Sequence, residues 1–252
     1  MSKRPRVAVV IPMRDERVAV APLFQKLEAL LVEMPGARVV VVDGGSTDGT
    51  RDEVRRQAVG FSVEILELGD GLGLGDALEA GLRHVLEESD AVVTLDGDDS
   101  HDPRVIPSLV ARLDEGYDVI VASRFAEGGA EVGVAPHRRA LSHVASAVLR
   151  GLFPMGEVRD YSSGFRAYRT EALRAVARDG RLVGERGFSC MLDLLLRLRA
   201  RGCAAAEVPL VLRYDLKASA SKMDVPRTVI RYLVLIACNW RPIRASAEGS
   251  AR

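Results

Sequence analysis

The sequence has few of the features that mark disulfide-rich or membrane-spanning proteins. Its three cysteines, Cys190, Cys203 and Cys238, are too few for a disulfide framework and do not stand at zinc-ligand spacing, which predicts a reducing, cytoplasmic environment. No apolar run reaches the roughly 18 residues that a spanning helix needs. The apolar stretch 7–13 near the basic N-terminus is too short for the core of a signal peptide. We therefore expect a soluble protein, or one that is peripheral to the cytoplasmic face of a membrane.

The sequence also lacks an excess of charge of either sign. Its 35 Lys and Arg residues balance its 35 Asp and Glu residues, so the whole chain has no electrostatic preference for nucleic acid, and no nucleic-acid partner is expected. Hydrophobic residues occupy 48% of the 252 positions, which is enough for a large core. Because no repeat or long linker divides the chain, we predict one domain over 1–240 and a disordered tail over 241–252.

Short β-branched runs alternate with helical patterns in the first half of the chain. The four valines at 39–42 are typical of a strand buried on both faces, and apolar residues between Leu23 and Met34 recur at helical spacing. This alternation predicts βαβ units on a parallel sheet, hence an α/β fold. The strands are predicted at 7–11, 39–42, 63–68, 91–95, 119–122 and 206–213.

Acidic sequence follows three of the predicted strands. Glu16 follows the first strand, Asp43 ends the second, and Asp96 and Asp98 follow the fourth. Since ligands bind beyond the carboxyl ends of parallel strands, these carboxylates are expected to gather at one edge of the sheet. Clustered carboxylates repel one another unless a cation lies among them, and Mg²⁺ and Mn²⁺ favour oxygen ligands. The pattern indicates a metal site, whereas each turn taken alone could be a solvated turn that caps the next helix.

The order of the motifs is more specific than any one of them. The sequence carries VVDGGSTDGT at 41–50, LDGDDSHDP at 95–103, YSSGFRAYR at 161–169 and SASKM at 219–223. Over about 7–225 it resembles family 2 glycosyltransferases, and among them the dolichol-phosphate mannose synthase group, which glycosylates polyprenyl monophosphates. The resemblance implies a GT-A fold, in which a Rossmann-like, mostly parallel sheet is flanked by helices and followed by a C-terminal acceptor-side region.

The resemblance also implies a reaction and its residues. A sugar, with mannose from GDP-mannose as the first expectation, would pass with inversion from a nucleotide diphosphate to a polyprenyl phosphate, aided by Mg²⁺ or Mn²⁺. The donor and its metal are assigned to Pro12, Glu16, Asp43, Asp96 and Asp98, with the metal on Asp96 and Asp98. The acceptor phosphate is assigned to Arg124, Arg138, Ser163, Arg166, Ser221 and Lys222. Asp98, Arg166 and Lys222 are the expected catalytic residues. The nucleotide-sugar half spans about 7–125 and the acceptor half about 126–240.

Departures from the family pattern leave alternatives open. Relatives carry a second acid where Gly44 stands and an amide where Ser100 stands, so a UDP- or dTDP-sugar is an alternative donor. The Q-x-x-R-W motif of relatives that act on hydroxyl groups is missing, and a phosphate acceptor, already anionic, needs no base. The alternatives are a soluble hydroxyl acceptor, with Asp160 or Asp193 as the base, and a non-catalytic subunit that binds a nucleotide sugar.

Two further segments invite interpretation. The glycines at 69, 71, 73 and 75 fail the dinucleotide-binding spacing and predict a tight turn that approaches the donor, or a flexible loop. The apolar stretch 229–238, interrupted by Arg231, could form a helix that lies on an anionic membrane surface or one that packs on the domain.

Overall fold

The fold was obtained as a computed structural model, which describes residues 5–58, 60–217 and 222–249, with the backbone alone from 241 onward. The strands are β1 (Val7–Met13), β2 (Arg38–Asp43), β3 (Val63–Glu67), β4 (Ala91–Thr94), β5 (Val119–Ser123), β6 (Ala130–Val132), β7 (Arg166–Arg169), β8 (Ala205–Pro209) and β9 (Val211–Arg213). The helices are α1 (Arg17–Glu33), α2 (Thr50–Gln57), α3 (Leu74–Val85), α4 (Ile106–Asp114), α5 (Pro136–Leu152), α6 (Thr170–Ala177), α7 (Cys190–Ala200) and α8 (Val225–Gly249).

Seven strands form one mostly parallel sheet, in the order β3-β2-β1-β4-β7-β5-β8. β7 is antiparallel to both of its neighbours, and its Arg166 stands opposite Thr94 of β4 and Val121 of β5. A second, two-stranded sheet pairs β6 with β9 in parallel. The prediction of a mostly parallel sheet flanked by helices is confirmed, but the single strand predicted at 206–213 is two strands that belong to different sheets.

The valine run of β2 shows why the sheet is buried on both faces. Val39 and Val41 pack into the cluster that includes residues of α1 and α4, while Val40 and Val42 pack into the cluster that includes residues of α3 and α7. Successive side chains of a strand point to opposite faces, so an unbroken apolar run requires a helical layer on each side. The resulting three-layer arrangement fixes the strand ends and the turns that follow them.

The helices α5 and α8 bury far fewer of their described side chains than α1, which has the same length as α5 and buries seven. Leu149 of α5 and Leu235 of α8 are buried. The backbone of α8 continues to Gly249 and so includes most of the predicted tail, and the division of the chain at residue 240 stays a prediction. Among the described residues, no helix is both long and apolar enough to cross a membrane.

Candidate active site

The strands β1, β2 and β4 end at one edge of the sheet, and the predicted carboxylates follow them there. Met13 stands opposite Asp43 in the register of β1 and β2, and Pro12, a predicted donor contact, lies one residue before it. Glu16, Asp43 and Asp98 are buried, while the Asp96 side chain is 39% exposed. The structure thus places the acidic turns at the edge where ligands of parallel sheets bind.

Asp96 and Asp98 lie in the same turn but have opposite electrostatic environments. Although part of the Asp96 side chain reaches solvent, the surrounding protein atoms desolvate its carboxylate, and this desolvation, with the negative charges of Asp98 and Glu16, outweighs the charges of His101 and Lys217 and raises the pKa of Asp96. Burial also opposes the ionisation of Asp98, but the charge and hydrogen bond of Lys217 and the Ser100 hydroxyl outweigh it and lower its pKa. An added cation would relieve the repulsion that Asp96 experiences, as expected of a carboxylate in a cation site.

Neighbouring side chains hold this turn in place. His101 is buried and stacks on Phe165, with 5.3 Å between the ring centroids. Its Nδ1 accepts a hydrogen bond from the backbone nitrogen of Asp96 at 3.4 Å. Asp99 adopts a left-handed backbone with φ of 62°, and its carboxylate lies 2.7 Å from the Lys26 ammonium. His101 therefore supports the Asp96 segment, and Asp99 points to a partner of its own.

Asp43 presents a buried oxygen that the protein leaves unsatisfied. Its Oδ2 accepts a hydrogen bond from the Ser46 nitrogen at 3.1 Å and lies 3.6 Å from Nε of Arg51. Its Oδ1 has no hydrogen-bond partner among the described residues. Buried polar atoms are usually paired, so this oxygen fits a ligand donor such as a hydroxyl or an N–H group.

Two lysines between β9 and α8 contact the acidic edge. Lys217 Nζ lies 2.5 Å from Asp98 Oδ2, and Lys222 Nζ donates to Glu16 Oε1 and to the backbone oxygens of Arg14 and Asp15. Ser221, a predicted acceptor contact, lies outside the described residues. Lys222 was predicted from its motif, whereas Lys217 was not predicted, although it stands only five residues earlier in the sequence.

On the acceptor side, Arg124 is tied to two acids. Its guanidinium makes two hydrogen bonds to Asp160, at 2.7 and 2.8 Å, and one to Glu131 at 2.9 Å. Burial opposes the ionisation of Asp160, but Arg124 outweighs it and lowers the pKa of this carboxyl. Arg138, the next predicted phosphate contact, donates to the Tyr214 hydroxyl at 3.0 Å. The Lys217 ammonium, which contacts Asp98, lies 5.7 Å from the Tyr214 ring centroid. Tyr214 therefore lies between Arg138 and the residues around Asp98.

Ser163 directly precedes Gly164, and Arg166 follows it by two residues. Gly164 lies close to Asp96. A Cβ added at Gly164 would lie 2.9 Å from Asp96 Oδ1, so a larger residue here would push the Asp96 carboxylate aside. The Arg166 side chain is fully buried and donates to the backbone oxygens of Met191 at 2.6 Å and Tyr161 at 2.8 Å. These contacts hold chain segments together, and the phosphate roles of Ser163 and Arg166 stay predictions.

The donor set fits a divalent cation that is shared with a substrate. Within the described part of the chain, no three His, Cys, Asp or Glu side chains are grouped so as to hold a metal by themselves. Mg²⁺ typically takes one or two carboxylates and completes its shell with substrate phosphates and water. Asp96 and Asp98 supply two carboxylates in one turn, which is the number such a site requires.

The glycine-rich turn before α3 has a structural partner. Added Cβ atoms at Gly73 and Gly75 would lie 2.2 and 1.8 Å from the backbone oxygens of Arg186 and Glu185. Asp76 accepts hydrogen bonds from Arg186 at 2.7 Å and Arg181 at 3.0 Å. The turn therefore docks the 181–186 segment, a role that the sequence analysis did not predict.

Comparison with known proteins identifies the family. The chain matches the family model "Glycosyl transferase family 2" over residues 8–177. It is 32% identical over 246 residues to the undecaprenyl-phosphate mannosyltransferase of Micrococcus luteus, covering 95% of this chain and 98% of that protein. It is 30% identical to the polyprenol monophosphomannose synthase of Mycolicibacterium smegmatis, covering 87% of this chain and 81% of that protein.

A solved structure supports the fold. Glucosyl-3-phosphoglycerate synthase of Mycobacterium tuberculosis, in complex with Mn²⁺, UDP and glucosyl-3-phosphoglycerate, matches with a TM-score of 0.70 and 22% identity over 94% of this chain and 80% of that one. The expected GT-A fold is confirmed. The family match, the fold and the relatives agree, and the chain therefore belongs to glycosyl transferase family 2 as a glycosyltransferase close to the polyprenyl-phosphate mannosyltransferase group.

Proposed function

We propose that this protein transfers a sugar, mannose as the first expectation, from a nucleotide diphosphate to a polyprenyl monophosphate, with inversion at the anomeric carbon. Relatives named undecaprenyl-phosphate mannosyltransferase and polyprenol monophosphomannose synthase support the choice of sugar and acceptor. The observation that carries the proposal is that Asp160 and Asp193, the carboxylates considered as bases for a hydroxyl acceptor, are both bound to arginines. An acceptor that is already anionic needs no such base.

The donor half would bind the nucleotide diphosphate at the acidic edge. The unsatisfied Oδ1 of Asp43 supports a contact with the nucleoside, and Pro12 and Glu16 lie on the neighbouring β1 side of the same edge. Asp96 and Asp98 would hold Mg²⁺ or Mn²⁺ next to the diphosphate. When bound, the metal supplies positive charge that stabilises the departing diphosphate.

The acceptor half would hold the phosphate nucleophile. Arg138, Lys217 and Lys222 are cationic groups close to the acidic edge, and such groups hold an anionic acceptor beside an anionic donor. In the reaction, an acceptor phosphate oxygen forms a bond to the anomeric carbon as the bond from that carbon to the diphosphate oxygen breaks. The bonding electron pair leaves with the nucleotide diphosphate, so a single displacement inverts the centre.

A transfer assay tests the proposal directly. Radiolabelled GDP-mannose, UDP-glucose and a dTDP-sugar are each supplied with Mn²⁺ or Mg²⁺ and with either a short polyprenyl phosphate or 3-phosphoglycerate. We expect a metal-dependent product that extracts with lipid, formed fastest from GDP-mannose, and its anomeric configuration, measured by NMR, should be inverted. Transfer to 3-phosphoglycerate with no lipid product would contradict the polyprenyl acceptor. If the protein shows neither transfer nor hydrolysis of any donor, the non-catalytic subunit that binds a nucleotide sugar becomes the remaining hypothesis.

The exposed faces of α5 and α8 support peripheral contact with an anionic membrane. The membrane-facing surface is defined here by Leu141, Val144 and Val148 of α5 and by Val229, Ile230 and Leu233 of α8, all exposed. Between 136 and 152 and between 225 and 240 the sequence contains arginines and no Asp or Glu, although the whole chain is neutral. The charges within these two ranges are all basic, with Arg139 and Arg231 paired to Glu131 and Glu185 of other segments, and apolar residues beside such charges match a surface that carries anionic headgroups.

The positions of the two helices agree with this orientation. α5 begins next to Arg138, which binds Tyr214 of the site, and α8 begins three residues after Lys222. Further along the chain, Pro154, just beyond α5, and Asn239, in the second half of α8, line one cavity. Both helices therefore run from the site towards the same cavity, and a lipid-borne acceptor would meet the site at their N-terminal ends.

Sedimentation with vesicles tests the membrane-facing surface. The double variant Val144→Ser, Leu233→Ser should bind vesicles containing phosphatidylglycerol about tenfold more weakly, since each change removes apolar area from the contact. The matched control is Val18→Ser, which changes a valine that is 73% exposed on α1 and should leave binding unchanged. Equal binding by all three proteins, or equal binding to neutral and anionic vesicles, would contradict the proposed contact.

A further inference from the structure

Lys217 forms an ion pair with Asp98, whose carboxylate the metal would need. Its ammonium lies 2.5 Å from Asp98 Oδ2, and both side chains are largely buried, with 13% and 11% of their surface exposed. The other oxygen of the same carboxylate, Oδ1, accepts hydrogen bonds from the Ser100 nitrogen at 3.1 Å and the Ser100 hydroxyl at 2.5 Å. Both oxygens of Asp98 are therefore engaged by groups of the chain itself.

We infer that Lys217 and the divalent metal compete for Asp98, so that metal binding displaces the Lys217 ammonium. This inference rests on the metal site of the proposed function. A metal binds a carboxylate oxygen at about 2.0–2.2 Å, and at Oδ2 it would lie within a few ångströms of the ammonium. Two cations that close, in a site largely shielded from water, repel each other strongly.

The displaced ammonium has a defined neighbourhood. Lys217 lies 5.7 Å from the ring centroid of Tyr214, whose hydroxyl accepts a hydrogen bond from Arg138. Once released from Asp98, the ammonium stays between the metal site and Arg138, where it can meet an anionic substrate. Metal binding thus converts Lys217 from the counter-ion of Asp98 into a cation that is available to phosphate oxygens.

The chain contains a matched control for this exchange. Lys26 forms an ion pair with Asp99, the residue next to Asp98, at 2.7 Å. Removing Lys26, a residue of α1, deletes one positive charge that contacts the same turn but leaves the Asp98 oxygens engaged as before. A general electrostatic effect would raise the affinity for the metal in both variants, whereas competition for Asp98 would raise it only in the variant that lacks Lys217.

The experiment titrates the full chain with Mn²⁺ and follows free Mn²⁺ by electron paramagnetic resonance. Lys217→Met should bind Mn²⁺ about tenfold more tightly than the wild type, because the competing cation is gone, and Lys26→Met should differ by about twofold at most. Equal affinities in Lys217→Met and the wild type, or equal gains in both variants, would overturn the inference while leaving the metal site standing. If no protein binds Mn²⁺, the metal site of the proposed function fails and the inference fails with it.

A second measurement needs no variant and so does not depend on how Lys217→Met folds. Wild-type protein is treated briefly with acetic anhydride, with and without Mn²⁺, and acetylation of each lysine is measured by mass spectrometry. Mn²⁺ should raise acetylation of Lys217 several-fold and leave that of Lys26 unchanged. Unchanged or reduced acetylation of Lys217 at a saturating Mn²⁺ concentration would overturn the exchange.

Discussion

The two halves of the molecule hold their polar residues by different means. In the donor half, Asp43 accepts from the nitrogen of Ser46, and Asp98 accepts from Ser100, so each carboxylate is fixed by a residue two or three positions along the chain. In the predicted acceptor half, Asp160 accepts from Arg124 of the preceding half, and Arg166 reaches the backbone of Met191. The turns of the donor edge therefore orient their own carboxylates, with Lys217 and Lys222 as additional distant contacts, whereas the acceptor-side arginines join segments far apart in the chain.

The halves also differ in what they leave exposed. The apolar side chains of β1 and β2 are almost all buried between two helical layers, whereas α5 and α8 expose most of theirs. A half with a complete core does not require a partner for stability, while an exposed apolar face on two helices indicates a contact outside the chain. The donor half thus has the features of a scaffold, and the acceptor half those of an interface.

The largest effect is expected at the donor edge. Asp98→Asn removes the negative charge that would hold the metal, and transfer should fall by about a thousandfold while the fold persists. Asp99→Asn is the matched control, because Asn tolerates the left-handed backbone there and Asp99 is bound to Lys26; it should retain activity within about tenfold. Comparable losses in both variants would show that the whole acidic turn, not Asp98, matters.

A stability measurement compares the two halves through their leucines. Leu78 of α3 is fully buried, and Leu78→Ala should lower the free energy of unfolding by about 2–5 kcal/mol. Leu233 of α8 is 61% exposed, and Leu233→Ser should change it by no more than about 0.5 kcal/mol. Urea denaturation measures both. A large loss in Leu233→Ser would mean that α8 is covered in solution, for example by a second copy of the chain.

The smallest of the predicted losses is expected at Asp76, whose ion pairs with Arg181 and Arg186 join the two halves. Burial raises the pKa of this carboxyl, but hydrogen bonds from Arg186, the Gly73 nitrogen and Arg181 outweigh burial and lower its pKa to about 2. Since the folded pKa lies below the ordinary value, the stabilisation is complete above about pH 4 and is lost as the pH falls towards 2.

Asp76→Asn should therefore lower the free energy of unfolding by about 1 kcal/mol at pH 7, because its arginine partners are half-exposed. The difference from the wild type should shrink as the pH falls from 4 to about 2. Asp52→Asn, at a side chain 78% exposed, is the control and should show no such trend. A difference that stays constant between these pH values would indicate that the Asp76 carboxylate does not titrate with folding.

The sequence predicted the donor edge better than the acceptor side, for a physical reason. A buried valine run followed by an acidic turn determines both a strand and the place of its end, so the positions of Asp43 and Asp98 follow from local sequence. The burial of Arg166, the pairing of β6 with β9 and the contact of Lys217 with Asp98 depend on segments far apart in the chain. No periodicity or spacing encodes such contacts, and the motif at 219–223 includes Lys222 but not Lys217.

The reversed direction of β7 has a consequence for how this architecture can vary. β5 ends at Ser123 at the edge where the carboxylates lie, and β7, being antiparallel, begins with Arg166 at that same edge. The chain between them, 124–165, thus leaves the sheet and returns to it at the same edge, so both of its ends lie next to the carboxylates. It contains Arg138, Asp160 and the exposed face of α5. Apart from β6, which pairs with β9, the segment contains no strand, so it can be lengthened or exchanged without shifting the seven-stranded sheet. An ancestral donor-binding sheet could therefore acquire a new acceptor by replacement of this one segment.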